Sequence, residues 1–187
     1  VAIALSPLRT DRLRLDRPTD DDLDALFRLC ADERVWRHYP SLRHTDHAQT
    51  AAMVDRWQRS WDRAGLGTWT LRSRTDDRLI GYGGCSLIGD EATVWNLGYR
   101  IDADEHGHGY ATEVSRAAIA RARATRPDTP IVAYLVEHNA ASARVAEKIG
   151  FSLVHRGPDA GNPDPSVIRL VYADRPLTSA QLAVVLS

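Results

Sequence analysis

Residues 68–101 carry three alternating segments in succession with no helical period between them, and this narrows the fold more than any other stretch. Thr68–Arg72 alternates, Thr75-Asp-Asp77 turns, Arg78–Leu87 forms a second strand, Gly89-Asp90-Glu91 turns again, and Thr93–Ile101 completes the series. Parallel neighbours need crossovers of about a dozen residues or more, so turns this short dictate consecutive antiparallel hairpins. Gly81, Gly83 and Gly84 lie inside the second strand, where the missing side chains let another backbone come close.

Helical periods flank this meander on both sides. Arg12–Asp16 reads as a strand, Thr19 as a cap, and Leu23, Leu26, Phe27 and Cys30 as the apolar stripe of a helix over about 20–31. Thr45 is placed to cap a second helix over about 46–64, with Met53, Trp57 and Trp61 on its buried face and Gly65 and Gly67 ending it. After the meander, Gly109 to about Arg123 is helical, Ile131–Glu137 is a buried strand, and Asn139 opens a helix that closes at Gly150. Phe151–Arg156 and Ser166–Tyr172 form a final hairpin around the loop Gly157–Pro165, and a short helix follows from about Thr178. The order β-α-α-β-β-β-α-β-α-β-β predicts an α+β fold with a mixed, mostly antiparallel sheet flanked by helices. No linker divides residues 1–187, so one domain is expected, a size at which a single core is stable.

Charge and cysteine usage bear on partners. Lys+Arg 24 against Asp+Glu 25 gives a net charge of −1, which provides no global field for nucleic acid or an anionic membrane. Val1–Leu5 is too short an apolar run for a leader or a span, and no later run approaches the ~20 residues a span requires. Cys30 and Cys85 lie far apart and read as reduced, buried thiols, which predicts a cytoplasmic protein. His44 and His47 have helical spacing but no third ligand nearby, so no metal is expected. The oligomeric state is open between a monomer and a homodimer.

The chemistry concentrates in His106-Gly107-His108-Gly109-Tyr110-Ala111-Thr112, which joins a strand to a helix. Small residues at 107, 109 and 111 let a ligand approach the backbone, and first-turn amides at a helix start point outward without intrahelical acceptors. Together with the helix dipole they make an anion site suited to a pyrophosphate. A dinucleotide site is disfavoured: Thr112 stands where a third glycine would be required, and the preceding strands are antiparallel.

This turn, together with Gly98-Tyr-Arg-Ile-Asp before it, Asn139-Ala-Ala-Ser142 on the next helix and Glu147-Lys-Ile-Gly-Phe151, resembles the GNAT superfamily of acyl-CoA N-acyltransferases. The opening Leu8-Arg-Thr-Asp-Arg-Leu-Arg-Leu15 is similar to the first strand of its RimJ/RimL branch, the ribosomal-protein N-terminal acetyltransferases. The resemblance covers about residues 8–173. It implies acetyl transfer from acetyl-CoA to a primary amine, a protein N-terminus or a small molecule, by direct attack in a ternary complex. It also implies that strands 93–101 and 131–137 splay apart. The pantetheine arm would then pair with backbone at Tyr99, Arg100 and Ile101, and the pyrophosphate would lie on residues 106–112.

By the same resemblance, Ser142 faces the departing sulfur, and Asn139 caps its helix, holds pantetheine, or does both. Asn96 stands where the family often has an acid; an amide takes no proton, so it is left to orient a water. Glu91, Glu113 and Glu137 are the carboxylates available as a replacement base, with Glu137 best placed at its strand end. Trp36, His38 and Tyr39, between the first two helices, read equally as core or as the wall of the acceptor site, where aromatic faces attract a cation.

Overall fold

The computed structural model describes residues 7–91 and 93–187. The Val1–Leu5 run lies outside the described residues. In chain order the elements are β1 (Leu8–Arg9), β2 (Leu13–Asp16), α1 (Leu23–Ala31), α2 (His47–Ala64), β3 (Thr68–Ser73), β4 (Leu79–Ile88) and β5 (Val94–Ile101). They continue with α3 (Tyr110–Thr125), β6 (Ile131–Val136), α4 (Ala140–Lys148), β7 (Ser152–Pro158), β8 (Ile168–Ala173) and α5 (Ser179–Leu186).

All eight strands join one mixed sheet in the order β1-β2-β3-β4-β5-β6-β8-β7. The meander is present as expected: β3, β4 and β5 pair antiparallel in sequence order. Its glycines are packed against backbone. A Cβ on Gly81 would overlap the Arg100 carbonyl oxygen, and one on Gly84 would sit 2.6 Å from the Gly67 carbonyl oxygen. The β5–β6 pair is parallel, and its register runs only over Trp95↔Ile131 and Asn96↔Val132. Beyond Asn96 the two strands are unpaired with each other, which opens a gap beside Gly98, where a Cβ would meet nothing within 4 Å.

The core divides by sheet face. Trp95 and Leu97 pack with Val114, Ala118 and Ala122 of α3. Tyr82 packs with Leu26 and Cys30 of α1, Trp36, and Met53 and Trp57 of α2. Val94, Val132 and Val171 seat Val185 of α5. Cys30 and Cys85 are both buried and unbridged, and burial pushes the Cys30 thiol up to about 12. No helix among the described residues is long and apolar enough to cross a membrane.

The expected strand 12–16 is present as β2; the run 8–15, similar to a single first strand, is instead a small hairpin, with Thr10 N–H donating to the Leu13 carbonyl at 2.9 Å and β1 as the other arm. Two further expectations need correction. The α2 cap is Asp46 rather than Thr45, because a capping box needs its partner three residues on: Gln49 N–H donates to Asp46 at 3.0 Å, and the Gln49 side chain accepts from the Asp46 N–H at 3.3 Å. Asp20–Asp22 form a single 3₁₀ turn that leads into α1.

Candidate active site

The turn after β5 is locked from both ends. Asp102 accepts from the Asp104 N–H at 3.0 Å to start a short 3₁₀ turn, and His106 Nε2 lies 3.0 Å from the Ile101 carbonyl oxygen. Gly107 and Gly109 follow at φ +83° and +82°, a left-handed conformation that glycine adopts without steric cost. The N–H groups of Tyr110, Ala111 and Thr112 then begin α3 without intrahelical acceptors. A Cβ on Gly107 would meet nothing within 4 Å, so the face above the turn is open.

The β1–β2 hairpin braces this turn from below. Glu113 accepts from the Thr10 hydroxyl at 2.6 Å, from the Arg12 N–H at 3.0 Å and from Arg12 Nε at 2.8 Å. Arg12 also donates to the His108 carbonyl at 2.8 Å and lies over the Tyr110 ring. Burial pushes the Glu113 carboxyl up, but the bonds from Thr10 and Arg12 outweigh it and hold the group below its ordinary range. Glu113 is therefore a strut and not a free base. His108 turns away from the gap, with Nδ1 3.3 Å from the Glu105 carbonyl oxygen.

Along the gap, Tyr99 from β5 meets α4. Its hydroxyl donates to Ser142 Oγ at 3.4 Å, and burial pushes the phenol upward, which keeps it protonated. Asn139 caps α4 by accepting from the Ser142 N–H at 3.2 Å, so the Ser142 hydroxyl is not needed as a cap. Turn, gap and α4 start share one cavity of about 600 Å³, which Arg100, Ile101 and His106 also line. Asn96 sits at the vertex where the strands part, its amide donating to the Tyr134 hydroxyl at 3.5 Å.

The carboxylate with the best strand-end position is engaged elsewhere. Glu137 takes both Arg156 Nε at 2.6 Å and Nη2 at 3.0 Å, which holds it below the ordinary carboxylate range. A carboxylate held this way accepts a proton poorly at neutral pH, and Glu137 is absent from the cavity lining. Glu91 is exposed in the β4–β5 turn.

The segment between α1 and α2 covers the other side of the cavity. Trp36 is buried, as its core reading expects, with Arg100 Cζ 3.9 Å from its ring centroid, and it does not itself line this cavity. His38 lines the cavity; burial, followed by the charges of Arg37 and His138, lowers its pKa. Tyr39 approaches the loop after β7, with its hydroxyl 3.6 Å from where a Cβ on Gly161 would lie. That loop is anchored by the buried pair Asp159–Arg169 at 2.6 Å. Sequence reasoning missed His138, whose Nε2 lies 3.1 Å from the His38 carbonyl oxygen, and the Arg100–Trp36 contact. Both join residues far apart in the chain, which local periodicity does not register. His44 bonds Thr50 at 2.8 Å and His47 lies 3.3 Å from Asp24; no group of three metal-ligating side chains occurs among the described residues.

Comparison with known proteins agrees with this geometry. The pattern of the Acetyltransferase (GNAT) domain matches residues 12–152. The Bacillus subtilis (strain 168) protein YkkB is 32% identical over 151 residues, which is 79% of this chain and 86% of its own. An acetyltransferase structure from Agrobacterium tumefaciens str. C58 is similar at TM-score 0.73 and 27% identity, over 94% of this chain and 98% of that one. RimL, a ribosomal L7/L12 α-N-protein acetyltransferase, is similar in fold at TM-score 0.72 and 21% identity, over 91% and 97% of the two chains. With most of its length inside that pattern, this chain belongs to the GNAT family of acetyltransferases.

Proposed function

We propose that the protein transfers an acetyl group from acetyl-CoA to a primary amine by direct attack in a ternary complex. The observation that carries this reading is the parting of β5 and β6 in one cavity with the start of α3, with Tyr99 and Ser142 meeting along the gap. The residues fit the cofactor: Gly98 leaves room for a chain along β5, and the left-handed Gly107 and Gly109 leave the turn open to a diphosphate. RimL, similar in fold, was solved in complex with coenzyme A.

Acetyl-CoA, when bound, supplies an activated thioester carbonyl. The acceptor reaches it as a free amine, and at pH 7 a small neutral fraction exists for an α-amine of pKa ~8 and a smaller one for a lysine-like amine of ~10.4. Asn96 at the vertex orients a water that carries the ammonium proton away, since neither Glu113 nor Glu137 is free to take it. Ser142 Oγ hydrogen-bonds the departing sulfur as the carbon–sulfur bond breaks, the proton released by the attacking amine passes through water to the thiolate, and the Tyr99 hydroxyl, which stays protonated, orients Ser142. His38 and Tyr39 form the acceptor wall, with Trp36 behind it. The acceptor is a protein N-terminus or a small-molecule amine.

The missing acid at Asn96 favours a second reading, a non-catalytic acyl-CoA-binding module. Steady-state release of free thiol across a panel of amines separates the two. Amine-dependent release supports the enzyme, and tight acetyl-CoA binding with no release from any amine supports the binding module.

A further inference from the structure

Side chains alternate along β5, so Tyr99 and Arg100 leave the strand on opposite faces of the sheet. Tyr99 goes toward Ser142 on α4, while Arg100, in register with Tyr82, goes to the face that α1 and α2 cover. There its Cζ lies over the Trp36 ring, 3.9 Å from the centroid, and Trp36 is itself fixed in the core. A cation–π contact of this kind does not use up the guanidinium's N–H donors, which can still bind a carboxylate or phosphate.

The neighbouring cations are already matched. Arg34 pairs with Asp32 at 2.7 Å and Asp104 at 2.8 Å, and Arg43 lies 3.7 Å from Glu33. Arg37 and Arg100 have no carboxylate within 4.0 Å among the described residues, and both line the cavity. The carboxylate in that lining, Glu105, is engaged by Arg78 and lies 3.5 Å from His108. Arg37 is exposed and donates Nε to His38 Nε2 at 3.1 Å. Arg100 is half-buried beside the Tyr82 hydroxyl and has no carboxylate partner among the described residues. A guanidinium so placed has given up part of its hydration, and an anion delivered by a ligand restores the balance. His38 registers the same positive wall: after burial, the charges of Arg37, His138, Arg100 and His106 depress its pKa.

We infer that Arg100, held on Trp36 and assisted by Arg37, binds a carboxylate or phosphate carried by the acceptor, so that the acceptor is an anionic amine. This rests on the acetyltransferase reading and narrows its substrate class. The phosphates of CoA are the other source of such an anion. The sheet face argues against them, since the α3 turn packs on the Tyr99 side and Arg100 points to the other.

The test compares kcat/KM for matched amines: β-alanine with β-alaninamide, O-phosphoethanolamine with ethanolamine, and a peptide with an acidic second residue with its amide. Charge-assisted bonds to a fixed guanidinium predict about a 10- to 100-fold preference for the anionic member of at least one pair. Arg100→Gln should abolish that preference through acceptor KM, and Arg37→Gln, an exposed site outside the core, should reduce it. Equal rates within every pair overturn the inference and leave the enzyme reading standing. A loss of acetyl-CoA affinity in Arg100→Gln without a change in preference also overturns it and assigns the guanidinium to CoA. Absence of turnover with every amine removes the enzyme reading and this inference together.

Discussion

Ser142 presents two groups to the site, and the structure gives them different partners. Its N–H donates to Asn139 and its hydroxyl contacts Tyr99, so capping and chemistry belong to different residues. Ser142→Ala should therefore leave stability nearly unchanged while turnover falls by about 10²-fold, the low end for general-acid help because a thiolate leaves readily. Acetyl-CoA affinity should hold, and turnover and affinity measured on one preparation check both. Asn139→Ala should instead cost about 1 kcal/mol by denaturant unfolding, as loss of an N-cap does. The Asn139–Ser142 spacing was legible in the sequence because a cap and the first-turn N–H that donates to it are local. The Tyr99–Ser142 contact spans 43 residues and the His138–His38 contact spans 100, and no local pattern encodes either.

At the scale of elements, the α3 start and β5 carry the site, and each can be tested without disturbing the other. Glu113 ties the β1–β2 hairpin to α3, and its folded pKa lies below its ordinary value of 4.5. A depressed carboxylate pKa contributes stability that is present above the ordinary value and disappears as pH falls through the folded one. Glu113→Gln should cost about 1–3 kcal/mol at pH 7 and flatten the acid limb of the stability curve, read from denaturation midpoints across that range. In β5, Gly98→Val places a side chain where the structure is empty. It should fold with a near-normal melting temperature and, since position 98 shares the face of Arg100, raise acceptor KM while acetyl-CoA affinity by calorimetry changes less. Strand and helix identities were legible wherever period and turn residues agreed. Boundaries slipped where two caps competed, as at Thr45 and Asp46, and where β1 was too short to show a period.

Across the whole molecule, the sheet order puts the parallel β5–β6 pair in the interior of the sheet, one strand beyond its middle, and the site where that pair separates. The meander was readable from 68–101 alone, since turns that short permit one connection. That β8 and not β7 lies beside β6 was not readable, because a hairpin pattern does not say which arm faces inward. The gap itself followed from the family resemblance and not from the periodicity of either strand. The central claim is that this gap and the α3 turn form an acyl-CoA site. The most direct test is the melting temperature of the intact chain titrated with CoA, acetyl-CoA and NAD. Ligand at a hundred times its dissociation constant adds ~2.7 kcal/mol, a rise of several degrees for a domain of this size. CoA and acetyl-CoA should each produce that rise and NAD none; a melting temperature unmoved by saturating CoA would contradict an acyl-CoA site here.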